Sequence, residues 1–195
     1  MRADAATLRL AVFPRPTFLT DALLIVSGTA LVSICAQISV KLPFTPVPIT
    51  GQTFAVCLVG ASLGASRGAA SLALYFLIGV LGAPVYAHHD HGWDVSTSAS
   101  GGYIVGFVVA AAVTGALAER RWDRRFSSAV GAMLTGNVVI YLVGLPWLAV
   151  VLNTNLEQTL EDGLYPFVPG DLFKLYCAAA LLPAAWRGVK YLDSR

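Results

Sequence analysis

The sequence predicts an all-α integral membrane protein: a single membrane domain over residues 1–195, with six transmembrane helices and both termini in the cytoplasm. Three observations lead there. Of the 195 residues, 56% are hydrophobic and only 12% charged, roughly half the charge of an ordinary soluble domain. The apolar residues gather into runs suited to crossing about 30 Å of hydrocarbon. The basic residues fall on alternate connections between those runs, which sets an orientation.

Residues 1–21 form a cytoplasmic N-terminal segment carrying Arg2, Arg9 and Arg15. A basic start before an apolar run also describes a signal peptide. The run at residues 22–39 is long for one, however, and further apolar segments follow, so it reads as the first membrane helix. The others are residues 52–66, 68–87, 101–118, 128–150 and 172–185. The second and sixth are short and read as helices inside the bundle, because backbone at that depth must satisfy its own hydrogen bonds. Residues 22–186 thus make a six-helix bundle and 187–195 a cytoplasmic tail.

With the N-terminus inside, Arg67, the block Arg120, Arg121, Arg124 and Arg125, and Arg187, Lys190 and Arg195 all fall inside as well. Lys41 and Lys174 are left near the outer side, where Asp90, Asp94, Glu157, Glu161 and Asp162 lie. That is the bias of a multi-pass protein of the cell's inner (plasma) membrane. Trp93, Trp122, Trp147 and Trp186 fall near helix ends, as an aromatic belt requires. The net charge of +2 is not gathered in a stripe, which excludes nucleic acid as a partner. Cys35, Cys57 and Cys177 stand singly in apolar runs and read as packing residues, with no metal or redox motif.

Gly60, Gly64 and Gly68, with Gly102 and Gly106, recur every four residues, a spacing that lets helix backbones approach closely. Gly28, Thr29, Ala30 and Ser33 give the first helix a small-residue face, read here as a docking surface for another membrane subunit. A second copy of the chain is a further candidate partner.

Polar groups in a membrane are costly and mark function. Pro169 and Gly170 are expected to start the sixth helix, with Asp171 in its first turn and Lys174 three residues on, on one face. Asp171 serves either as a helix cap or as a partner for Lys174. Lys174 either snorkels to the interface or meets an anionic ligand group. Asn137 and Tyr141 lie one turn apart on the fifth helix. In the first outer loop Pro43, Phe44, Thr45, Pro46, Val47 and Pro48 forbid helix and favour rigid, extended backbone. This apolar loop reads as a lid. His88, His89, Asp90 and His91 read as a solvated loop rather than a metal site, flanked by Tyr86 and Tyr103, which are placed to face a cavity. Leu152, Leu156, Leu160 and Leu164 mark a short interfacial helix. There is no GxxxxGK[ST] phosphate loop, no HExxH and no GxSxG, so the chain reads as a capture protein and not as an enzyme.

The order Ala36-Gln37-Ile38-Ser39, then Pro43-Phe44-Thr45-Pro46-Val47-Pro48-Ile49-Thr50, then Gln52-Thr53-Phe54 resembles the BioY family. The likeness continues through Gly79-Val80-Leu81-Gly82-Ala83-Pro84-Val85-Tyr86, Gly101-Gly102-Tyr103, and Pro166-Phe167 with Gly170-Asp171 and Lys174. These are the biotin-binding S components of energy-coupling factor (ECF) transporters. The resemblance implies an S-component-like bundle that captures biotin with high affinity from the outer side. It implies a membrane coupling subunit (T component) and ATP-binding cassette subunits as partners, and biotin as ligand with no cofactor. Alternatives are another small vitamin, or biotin transport by the solitary chain. The binding residues it points to are Asp171 and Lys174, with Gln52, Tyr86, His88, Tyr103, Asn137 and Tyr141 as further pocket candidates; which end of biotin meets the Asp171 and Lys174 pair stays open. The chain departs from the family pattern at Ser98-Ala99-Ser100, at Gly51, and at His88-His89-Asp90-His91, where a glycine-rich loop with asparagine is common.

Overall fold

The computed structural model describes residues 5–14 and 17–193; Arg2, Arg15 and Arg195, used above for orientation, lie outside them. The described chain is mostly helical: α1 (Leu8–Val12), α2 (Phe18–Gln37), α3 (Gln52–Leu63), α4 (Ala65–Val80), α5 (Trp93–Thr97), α6 (Gly101–Glu119), α7 (Phe126–Leu152), α8 (Leu156–Gly163) and α9 (Val168–Asp193). A two-stranded antiparallel ribbon, β1 (Ser39–Val40) with β2 (Ile49–Thr50), pairs Ser39 with Thr50 and Val40 with Ile49.

By length and composition, α2, α6 and α7 suffice to cross a membrane, and α8 with α9, bent by 51°, make a fourth candidate. Helices α3 and α4 are apolar but only 12 and 16 residues long. Large apolar side chains such as Phe18, Leu23, Leu142 and Phe173 stand exposed on the outside of the bundle, as lipid-facing residues do. Thr17 starts α2 with a capping box: its hydroxyl accepts from Thr20 N–H, and the Thr20 hydroxyl accepts from Thr17 N–H.

Several boundaries differ from the sequence reading; the last helix, for one, runs on to Asp193 through most of the stretch read as a tail. The break between α3 and α4 falls at Gly64, not around Arg67. Gly64 has φ 87°, which disfavours any L side chain, and the close backbone of Gly115 in α6 holds the turn in place. Arg67 is therefore inside α4. Helix α4 ends at Val80, ahead of the Gly82 turn at φ 104°. Helix α9 starts at Val168, earlier than 172, because Pro169 in a first turn forfeits no helical hydrogen bond.

Helix α6 is central, packed against α3, α4 and α7. A Cβ on Gly60 or Gly68 would collide with backbone of α6 or α3, so the four-residue glycine spacing works inside this chain. The same holds for part of the small-residue face on α2. Gly28 and Thr29 are buried against α4: a Cβ at Gly28 would strike Ser71, and the Thr29 hydroxyl donates to the Ser71 carbonyl at 2.8 Å. This corrects their reading as a docking surface. Ser33 is half-buried, and Ala30 is exposed.

The helices alternate in direction, so the bundle has two distinct ends. The basic end collects the starts of α2, α4 and α7. There Asp21 pairs with Arg9 and with Arg67, the latter at 2.8 Å. Asp123 accepts from the Trp186 indole N–H at 2.5 Å, and Arg124 stacks 3.3 Å from the Trp186 ring. The opposite end carries the ribbon, the histidine loop, α8 and the start of α9.

Candidate ligand-binding site

At that opposite end a cavity of about 400 Å³ opens between α3, α4, α6, α7 and α9, within the size range of small-molecule sites. Its floor is polar. Asp171, in the first turn of α9, is buried, and its carboxylate accepts from the Thr53 hydroxyl at 3.0 Å and from the Tyr141 hydroxyl. Lys174, one turn on, sits 2.5 Å from Asp171 and donates to the Thr50 carbonyl at 2.8 Å. Both alternatives left open by the sequence for these two residues are thereby narrowed: each is the other's partner. Two of the three ammonium protons have acceptors in the chain, and the lysine still lines the cavity.

The rest of the wall is aromatic and aliphatic. Tyr103 meets Tyr141 edge-on at 6.2 Å, and its hydroxyl donates to the Gly163 carbonyl at 2.9 Å. The Tyr86 hydroxyl donates to the Phe76 carbonyl at 2.9 Å and lies 3.0 Å from Ser96 Oγ. Gln52, first residue of α3, donates to the Tyr75 hydroxyl at 2.7 Å and accepts from Thr50. With their hydroxyls held by protein groups, these tyrosines offer the cavity mostly ring surface. Phe107, Ile140 and Phe167 complete the apolar lining.

The ribbon folds the proline loop over the cavity. Pro46, Val47 and Pro48 line it; Pro43 and Phe44 face outward. Thr45 is buried and donates to the Asp162 carbonyl at the end of α8, at 2.5 Å. His88 is on the rim, with Nε2 3.3 Å from Ser39 Oγ and Nδ1 buried without a partner among the described residues. His88 and His89 both have φ 62°, a left-handed conformation that histidine tolerates better than branched residues do. Gln37 holds this loop, donating to the Tyr86 carbonyl at 2.9 Å and accepting from His89 N–H at 3.0 Å. Lys41, Asp90 and Asp94 are exposed at the mouth.

Seven of the eight sequence-selected pocket residues thus come together: Asp171, Lys174, Gln52, Tyr86, His88, Tyr103 and Tyr141. Asn137 does not join them. It is buried one turn below Tyr141, in a narrow apolar gap behind the floor. The sequence reading passed over Thr53, Tyr75 and Lys41. Thr53 and Tyr75 are polar residues within apolar helices, the same signal that singled out Tyr141.

Fold and site together define a helical membrane protein with a polar-floored, aromatic-walled ligand cavity at the end away from its basic loops. The BioY family model matches residues 5–191, and the chain belongs to the BioY family. It is 35% identical over 163 residues to the biotin transporter BioY of Rhizobium etli, across 80% of this chain and 87% of that protein. It is 36% identical over 153 residues to the biotin transporter BioY of Thermotoga maritima, across 78% and 88%. The crystal structure of the S-component for biotin from an ECF-type ABC transporter matches with a TM-score of 0.77 and 23% identity, over 87% of this chain and 94% of that one. At that identity the likeness speaks for the fold.

Proposed function

We propose that this chain takes up biotin, capturing it at high affinity as the substrate-binding S component of an ECF-type transporter. It is a transport protein and not an enzyme. The observation that carries the reading is the buried Asp171 and Lys174 pair, flanked by Thr53 and Tyr141, at the floor of a cavity of about 400 Å³, in a chain of the BioY family.

The geometry favours one orientation of the ligand. Biotin has a ureido group that donates and accepts, an apolar ring with its sulfur and chain, and a carboxylate. The Asp171 and Lys174 pair is neutral as a unit, so it matches the neutral ureido group: Asp171 accepts an N–H and Lys174 donates to the carbonyl oxygen. Burying the ligand carboxylate at the same floor would add an uncompensated negative charge, at a cost of several kcal/mol. The carboxylate belongs at the mouth, beside exposed Lys41 and the His88 rim. The aromatic walls take the ring and chain.

The basic residues at the other end support six crossings with both termini cytoplasmic, in a plasma membrane, with residues 1–195 as one membrane domain. That orientation puts the cavity on the outer side. A coupling subunit and ATP-binding cassette subunits would supply the hydrolysis for which this sequence has no phosphate loop.

The test is saturable binding of radiolabelled biotin by the purified full chain in detergent. The expected dissociation constant is of nanomolar order, roughly −12 kcal/mol. Absence of saturable binding would sink the reading.

A further inference from the structure

Asn137 is the buried polar group that the site leaves unexplained. It lies within α7, is 6% exposed, and its Oδ1 has no hydrogen-bond partner among the described residues. The gap it faces is bounded by Thr53, Phe54, Cys57, Met133, Lys174, Leu175 and Ala178 and is too narrow to admit a water molecule. An unpaired amide oxygen in dry surroundings is unfavourable, which favours any arrangement in which a protein donor reaches it.

The walls of the gap leave a short choice of donors. Phe54, Met133, Leu175 and Ala178 have apolar side chains. The Cys57 thiol leans on the Met133 carbonyl at 3.9 Å. The Thr53 hydroxyl donates to Asp171 at 3.0 Å. Lys174 remains. Thr53 and Lys174 line both the gap and the ligand cavity, and of the two only Lys174 has a long, flexible stem and several donors.

We propose that Lys174 has two seats: the outer one seen here, on Asp171 and the Thr50 carbonyl, and an inner one in which its ammonium donates to Asn137 Oδ1. In the outer seat the ammonium faces the cavity and meets ligand. In the inner seat it is withdrawn, Asp171 loses its counter-charge, and the floor no longer matches a neutral donor–acceptor group. Asn137 is therefore a positioning residue that acts through Lys174: it sets how often the floor is competent to bind, and so tunes capture. An equilibrium between competent and withdrawn floors lowers the apparent affinity by the competent fraction. The inference rests on biotin being the ligand.

The experiment measures association and dissociation rates of radiolabelled biotin, with thermal stability, on the full chain in detergent. Asn137→Leu is nearly isosteric and abolishes the inner seat: the floor is then always competent, so association should quicken, and affinity rise, by about threefold or more. Asn137→Asp places a carboxylate in the gap and holds Lys174 there: affinity should fall about tenfold or more. If Asn137→Asp does not fold, the rates of Asn137→Leu decide alone. A purely structural Asn137 predicts altered stability in Asn137→Leu with both rates within about twofold of wild type, and that result overturns the proposal. A wild-type chain that binds no biotin overturns the assigned function beneath it, so the two failures are distinct.

Discussion

At the basic end of the bundle, Asp21 closes on Arg9 and Arg67, and Asp123 closes on Trp186 beside a stacked Arg124. At the other end, Asp171 closes on Lys174, Thr53 and Tyr141, yet the whole group borders a cavity of about 400 Å³. Each end gathers acid, base and aromatic side chains. The difference lies in what they face. Around Asp21 and Asp123 the partners are protein groups joining separate segments: α1, α2 and α4 in one cluster, the loop between α6 and α7 and helix α9 in the other. Burial pushes the Asp123 carboxyl above the usual carboxylate range, and the Trp186 N–H and Arg124 pull it back. Such contacts hold the helices together at the basic end. Around Asp171 the same chemistry is turned toward space that another molecule can fill. Residue types alone do not separate a clamp from a binding site; the open volume beside them does.

Substitutions at the two ends should therefore have opposite signatures. The largest effect on ligand is expected from Asp171→Ala, which strips Lys174 of its counter-charge and removes the carboxylate proposed to accept from the ureido group. Biotin affinity should fall by about 4 kcal/mol, roughly a thousandfold, in equilibrium dialysis. Lys174→Ala should follow at about 2–3 kcal/mol, the worth of a charged hydrogen bond in a desolvated site. At the basic end, Asp21→Ala should instead lower thermal stability, because it removes the carboxylate that Arg9 and Arg67 share. Thermal aggregation in detergent reads that loss, and biotin affinity should stay within about twofold, because losses confined to a distant site do not couple. A large affinity loss in Asp21→Ala would erase the contrast between the ends. Tyr141→Phe sharpens it from the other side. Removing one hydroxyl from Asp171 should cost about 1 kcal/mol of binding, roughly fivefold, with little change in stability.

The main apolar helices were legible because each carries a continuous apolar run. Their ends were not, because they depend on local backbone. The turn at Gly64 rests on a positive φ and on the close approach of Gly115, neither of which hydropathy registers. In the site, Asp171 and Lys174 stood out as charges in an apolar setting. Thr53 and Tyr75 carried only the weaker signal of a neutral polar group in an apolar helix, which Tyr141 shares. Asn137 shows a subtler limit. It shares a helical stripe with Tyr141, but within that one turn α7 passes from the cavity wall into the packed interior. The small residues of α2 make the same point: their spacing announces close approach, and only the structure says that the neighbour is α4.

The smallest expected effect concerns the lid, which joins the two kinds of contact. Thr45 is a clamp residue placed at the ligand end: its hydroxyl bonds the Asp162 carbonyl and also accepts from Val47 N–H at 3.2 Å. It thereby fixes Pro46, Val47 and Pro48 over the cavity. No ligand atom needs to touch Thr45 for it to matter. Thr45→Val keeps the shape and removes both bonds, so the lid should open more often at a cost of about 1 kcal/mol. Because the floor is untouched, the loss should appear in the dissociation rate, faster by roughly fivefold, with the association rate nearly constant. Rapid-filtration kinetics on the purified protein would separate the two. Equal slowing of association would mean that the loop guides biotin in, and does not merely retain it.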